Sequence, residues 1–385
     1  MSQEKIKFPD YNHSILNLIT SILNHYEVEN GHTSLSTLDT YLEKDYQNVV
    51  LLILDGMGEN VLQKLLPNGF LEQNKKDTIT SIFPPTTAAA LSVYFSGKAP
   101  IENGWIAFTQ YFKEFGRNLD MLSGRDSYTG ETVKGKNTAM QDIVCYLPVY
   151  QQIEKQQPQV KAYEIKPAHC DARADVMLEA DDMEQICKSI VTLCKSNEKK
   201  YVFAYLDDPD RTLHRKGTYS DEAKEFLEDA QLKIEAMCKQ LEGTNTLLII
   251  CADHGHTPIE TRLSTLELKE FQDYYILPPS LEPRFLTFWI KKGKEEEFRQ
   301  KFENRFANEF LVYSKQEFLN MHLLGEGEQH PKIDDFIGDF VAIATDSTMI
   351  KIETEISKEK YVKLSNHCGI TKDEMEVPLI IIERK

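Results

Sequence analysis

At 385 residues and 41% hydrophobic content, the chain can bury a sizeable core as one large α/β domain with insertions, or as two domains, without stabilising staples. A formal net charge of −17, with no basic stripe interleaved with aromatics, excludes a nucleic-acid polymer as the expected partner and favours a small substrate. No apolar run approaches the roughly 20 residues of a membrane span, so no membrane partner is expected; the N-terminal stretch lacks a signal-peptide layout, and seven scattered cysteines without a C-x-x-C pair read as reduced thiols, all pointing to a cytoplasmic protein.

In chain order, the first strong element is an apolar run over Asn48 to Leu54, predicted as a strand, which stops abruptly at Asp55. Gly56 and Gly58 follow and allow a tight turn into a helix over Glu59 to Leu65. Asp is also a favoured helix cap, so Asp55 alone is ambiguous. Two prolines then lead to Thr86 or Thr87, either of which starts a helix running to Ser96 and ending near Gly97. A hydroxyl there sits in the positive field of a helix N-terminus, which favours its alkoxide and a bound phosphate.

The segment from about Pro100 to Leu147 breaks the pattern with aromatics, glycines and charge switches. Trp105, Phe108, Tyr111 and Phe112 within it either pack the insertion or stack a leaving group. A strand over Val160 to Ile165, a helix over Met183 to Ser196 and a strand over Lys200 to Leu206 resume the alternation. The last strand runs towards Asp210, with His214 one helical turn on, so that carboxylate and imidazole face one point.

After a helix over Asp221 to Leu241, the strand Thr246 to Cys251 ends in adjacent Asp253 and His254, followed by Gly255 and His256. Charged groups placed straight after a buried strand are costly unless paired or metal-bound. His256 is a candidate contact for phosphate or leaving group. Further strands are predicted at Arg284 to Ile290, Phe340 to Ala344 and Val377 to Ile382, with His367 just ahead of the last. Alternation of strand and helix predicts an α/β fold, a mostly parallel sheet with helices on both faces, whose carboxyl edge would hold the ligand.

Five motifs taken together resemble the alkaline phosphatase superfamily, and most closely its nucleotide pyrophosphatase/phosphodiesterase branch. LDGMG, PPTTAAALSVYFSG, PDRTLHRKG, ADHG and HCGITKDEMEVPLI occur in the family's order between about Val49 and Ile382. The resemblance implies a three-layer α/β/α sandwich with inserted cap segments: residues 1–257 and 346–385 as the core, with an insertion at about 100–147, and residues 258–345 as an inserted cap.

It also implies that Asp55, Thr87, Asp253 and His254 hold one divalent metal, and Asp210, His214 and His367 a second. Spacing back from Gly97 then favours Thr87 over Thr86 as the nucleophile. The ligand set suits zinc, with manganese an alternative. In the diesterase branch an asparagine some twenty residues past the nucleophile holds a phosphate oxygen, and alignment through Gly97 and Gly104 places Phe108 there, with Thr109, Gln110 or Tyr111 reachable by a small shift.

The expected activity is hydrolysis of a phosphodiester or pyrophosphate bond in a small-molecule phosphate ester through a phospho-threonine intermediate. The alternatives are a phosphomonoesterase or phosphonate hydrolase on the same site, and a non-catalytic metal-binding module.

Overall fold

The computed structural model describes residues 5–131, 143–168, 170, 174, 176–353 and 362–385. Residues 132–142 of the insertion and 354–361 of the closing core segment lie outside them.

The strand Asn48–Leu54 is buried at every position, as a strand covered on both faces must be. It pairs in parallel with Lys199–Leu206 on one side and with Thr246–Cys251 on the other. These three form the middle of a seven-stranded sheet. Its order is Lys75–Thr80, Glu376–Arg384, Thr246–Cys251, Asn48–Leu54, Lys199–Leu206, Val160–Lys166 and Met177–Glu179. Glu376–Arg384 alone runs antiparallel to its neighbours.

Helices Asp221–Gln240, Met183–Cys194 and Glu59–Leu65 pack together as one layer, while Ile15–His25, Thr87–Ser96 and Val149–Gln156 form the other. The sheet between them completes the α/β/α sandwich. The edge strands Lys75–Thr80 and Met177–Glu179 carry no continuous apolar run, which hides them from a periodicity reading.

Two of the predicted strands do not join the central sheet. Phe285–Ile290 and Phe340–Ala344 belong to a separate four-stranded antiparallel sheet with Tyr275–Glu282 and Phe310–Ser314. Short apolar runs read alike whichever sheet buries them, and only their pairing partners tell the difference. This sheet and the helix Glu295–Phe306 enclose their own core, built on Phe271, Phe288, Phe298, Phe302, Phe306 and Phe340. Thr261–Ser264 pairs in parallel with Thr348–Lys351 in a separate two-stranded sheet.

One buried ion pair fastens this unit to the closing motif. The Arg284 guanidinium donates from Nε to Glu374 Oε1 (2.7 Å), from Nη2 to Glu374 Oε2 (2.8 Å) and from Nη1 to the Thr348 carbonyl (2.6 Å), with both side chains fully buried. Glu374 also accepts the backbone N–H groups of Gly369 and Thr371 at 2.7 and 3.1 Å. The loop that follows His367 is thereby fixed by the same carboxylate.

Breaking such a pair leaves an uncompensated charge in the interior. Arg284→Ala is expected to lower unfolding stability by about 3–5 kcal/mol. Chemical denaturation of the two proteins measures it, and a difference below about 1 kcal/mol would show that the pair does not anchor the insertion.

Candidate active site

Because the three central strands are parallel and in register, with Leu54 opposite Leu206 and Ile53 opposite Cys251, their carboxyl ends open onto one edge. Asp55, Asp210 and Asp253 follow those three ends. Gly56 makes the turn possible: it sits at φ +74, and a Cβ there would stand 3.0 Å from the Asp210 Cα. Gly255 passes Gly58 closely enough that a Cβ on it would lie 2.1 Å from the Asp373 carbonyl oxygen and 3.1 Å from the Gly58 Cα.

Thr87 opens the helix Thr87–Ser96, with Thr86 as its cap. Its Oγ1 lies 3.5 and 3.4 Å from the two Asp55 carboxylate oxygens and 3.2 Å from His254 Nε2. His254 Nε2 is in turn 3.4 Å from Asp55 Oδ1 and 3.3 Å from Asp253 Oδ2. Asp253 Oδ1 accepts the Gly56 and His254 backbone N–H groups, each at 3.0 Å. Its Oδ2 is buried without a hydrogen-bond partner and faces this cluster.

A second group adjoins the first. His214 Nε2, His256 Nε2 and His367 Nε2 converge on Asp210 Oδ1 at 3.3, 2.6 and 3.7 Å. Their Nδ1 atoms are engaged elsewhere: His214 with the Ser365 carbonyl, His256 with Ser365 Oγ and His367 with the Pro85 carbonyl. That arrangement fixes each ring with its other nitrogen inward, the orientation a metal ligand needs. The His254 and His367 rings stack with centroids 3.9 Å apart, joining the two groups.

The electrostatics are lopsided. Burial, together with the charges of Asp253 and Asp210, pushes the Asp55 carboxyl well above its ordinary range. Burial would raise Asp210 too, but the surrounding His214, His256 and His367 outweigh it and hold that carboxyl well below the usual range. Burial works the other way on the rings, lowering His214, His256 and His367 against the pull of Asp210 and towards the neutral form that a metal ligand needs. Burial raises Tyr205, keeping it a phenol that donates to Asp55 Oδ2.

Three clustered carboxylates, one with an unpartnered buried oxygen, and imidazoles whose second nitrogens face them form a donor set that fits divalent cations. One ligand atom each from Asp210, His254, His256 and His367 lies within 4.8 Å of the others, and the same holds for Asp55, Asp253 and His254.

Among the residues singled out from sequence, Asp55, Thr87, Asp210, His214, Asp253, His254 and His367 therefore share one edge. His256 lies with them, fully buried, with both ring nitrogens engaged by protein groups. Phe108 is 37% exposed, and its backbone N–H donates to Glu282. Tyr111 leans on Trp289, centroids 5.5 Å apart, while Trp105 and Phe112 are buried.

Three site neighbours escaped the sequence reading. Tyr205 lies on the strand Lys199–Leu206 that leads towards Asp210, where a polar hydroxyl in a largely apolar run was the available signal. Ser365 lies two residues ahead of His367 and serves two rings at once. Glu282 comes from the inserted unit, accepts Thr86 Oγ1 at 3.1 Å, and carries no local motif.

A family model described as Type I phosphodiesterase / nucleotide pyrophosphatase matches residues 49–367. An inactive threonine-to-alanine variant of murine ectonucleotide pyrophosphatase/phosphodiesterase 5 in complex with AMP is 17% identical, covers 87% of each chain and superposes with a TM-score of 0.64. The human protein of that name is 16% identical over 86% of this chain and 87% of its own, with a TM-score of 0.64. Phosphonoacetate hydrolase from Sinorhizobium meliloti 1021 in complex with phosphonoformate is 16% identical over 86% of this chain and 89% of its own, with a TM-score of 0.61. No curated protein sequence matches the chain.

The raised Asp55 carboxyl has a pH signature. A native value above the unfolded 3.8 means the folded chain binds the extra proton, so stability contributed by that group falls as pH climbs from about 4 through the native value. Chelator-treated protein is therefore expected to lose stability over that window, and Asp55→Asn should raise its thermal midpoint at pH 7 by about 2 °C or more. Thermal melts in chelator decide it, and an unchanged or lower midpoint would show that the repulsion is relieved some other way.

Proposed function

The chain belongs to the type I phosphodiesterase/nucleotide pyrophosphatase family, and from that premise we propose that it hydrolyses a phosphodiester or pyrophosphate bond of a small molecule through a phospho-threonine intermediate. The observation that carries this reading is Thr87 Oγ1 at a helix N-terminus within 3.5 Å of both Asp55 oxygens and of His254 Nε2.

Asp55, Thr87, Asp253 and His254 would hold one divalent ion, and Asp210, His214 and His367 the other. The acceptor set suits zinc, with manganese an alternative. Bound there, the ions would lower the pKa of the threonine hydroxyl and neutralise phosphate oxygens.

Thr87 Oγ1 attacks phosphorus in line, so the bond to the leaving group breaks on the side away from the helix. Water then cleaves the phosphorus bond to Oγ1 and regenerates the hydroxyl. Tyr205 donates to Asp55, and the His214, His256 and His367 rings gather around Asp210. Phe108, Tyr111 and His256 are the substrate-side candidates, Phe108 by its exposed ring.

A second reading, hydrolysis of a phosphomonoester or phosphonate, is favoured by one departure. Phe108 offers no polar side-chain atom where the diesterase branch uses asparagine. The same groups would act in it, and a metal-binding module without turnover is the third reading.

We further read residues 258–345 as a cap inserted into the core and seven scattered cysteines without a C-x-x-C pair as the mark of a cytoplasmic setting. Among the described residues no helix is long and apolar enough to cross a membrane.

Thr87→Ala is expected to lower turnover of a bis-aryl phosphate by at least about two decades while metal content stays within a fraction of an equivalent. Full turnover in that variant would remove Thr87 as nucleophile. Faster hydrolysis of a mono-aryl than of a bis-aryl phosphate by the native protein would reverse the order of the first two readings, and bound metal without hydrolysis of either would select the third.

A further inference from the structure

Lys363 stands where packing alone would not put it. Its neighbours Val362 and Leu364 are 62% and 42% exposed, whereas the lysine is turned inward and its Nζ reaches to 3.1 Å from His214 Nε2. Two apolar side chains in water with an ammonium between them facing the protein reverse the usual preference.

The backbone at this point is clamped. The Lys363 carbonyl accepts Arg262 Nε at 2.7 Å, the Leu364 N–H donates to the His214 carbonyl at 2.8 Å, and the Leu364 carbonyl accepts Arg262 Nη2 at 3.4 Å. Only the four-carbon stem is left to adjust. Among the described residues no carboxylate forms an ion pair with Nζ; its one polar contact is the ring nitrogen that also faces Asp210.

The position relative to Thr87 gives this lysine a direction. Thr87 lies with Asp55 and His254, and in-line displacement would send the leaving group away from Oγ1, where the adjoining group of Asp210, His214 and His367 could receive it. Lys363 reaches that second group at His214 Nε2, the ring nitrogen turned towards Asp210. With the His214 lone pair engaged by a bound ion, the ammonium would be released from that ring, and a leaving-group oxyanion on this side would offer it an acceptor.

Resting on the hydrolase reading above, we propose that Lys363 is a specificity-determining residue: it selects substrates whose leaving group carries an oxyanion of its own, a phosphate or a carboxylate. A charge-assisted hydrogen bond to that oxyanion forms as it departs and is absent for an uncharged leaving group.

Three nucleotide esters with a common transferred group test this: a nucleoside triphosphate losing pyrophosphate, the carboxyphenyl ester and the nitrophenyl ester of the matching monophosphate. In Lys363→Met the kcat/KM ratio of the first or second substrate to the third is expected to fall about tenfold or more, with Lys363→Arg restoring most of it. A fall confined to the triphosphate identifies phosphate as the group recognised; a fall confined to the carboxyphenyl ester identifies carboxylate.

Calorimetric titration of pyrophosphate and orthophosphate into the metal-loaded proteins provides a readout without turnover. Lys363→Met should lose about tenfold in pyrophosphate affinity relative to orthophosphate. Unchanged ratios in both assays, or equal losses on every substrate with reduced metal content, would overturn the proposal. If the native protein cleaves none of the esters, the hydrolase reading fails, and the titration still decides what Lys363 binds.

Discussion

Asp55 and Asp253 are buried, Asp210 stands beside them at the rim, and their mutual repulsion is the condition under which the groups around them are arranged. Burial and two like charges push Asp55 upwards, and Asp253 keeps one oxygen with no hydrogen-bond partner. A chain could reduce that repulsion by letting the strand ends splay. This one does the reverse: register between parallel neighbours holds the ends level, Gly56 turns with positive φ, and Gly255 lets two loops touch. The surrounding groups then soften the field without discharging it. Tyr205 donates to Asp55, backbone N–H groups donate to Asp253, and histidine rings gather on Asp210.

Much of this was legible because apolar runs stop abruptly. Asn48 to Leu54 and Thr246 to Cys251 announce both a buried strand and its end, and a carboxylate straight after such an end has few places to go. Thr87 was legible only through the glycine at position 97 that closes its helix, since Thr86 offers the same hydroxyl one residue earlier. The two strands Phe285–Ile290 and Phe340–Ala344 were visible as strands but not as members of a different sheet, because pairing is a long-range property that local periodicity does not carry. Edge strands Lys75–Thr80 and Met177–Glu179 were silent for the opposite reason: half in solvent, they need no apolar run.

The groups that escaped share a character. Tyr205, Glu282, Ser365 and Lys363 act on the site through groups whose partners lie far away in sequence: Tyr205 on Asp55, Glu282 on Thr86, Ser365 on His214 by its carbonyl and on His256 by its hydroxyl, Lys363 on His214. Ligand types announce themselves by chemistry, whereas the residues that aim them announce themselves only by contact. His256 sits between the two kinds. It was noticed for its place beside Asp253 and His254, and the fold engages it with Asp210 and Ser365.

The pairing of Arg284 with Glu374 has an evolutionary corollary. Glu374 steadies the loop after His367, and Arg284 arrives from the inserted unit, so neither half can be exchanged for a homologous piece that lacks its counterpart. Recombination between lineages would have to transplant both segments together or replace both with apolar residues of similar volume. The four-stranded sheet and the chain's far end are thus bound to each other as one buried electrostatic unit.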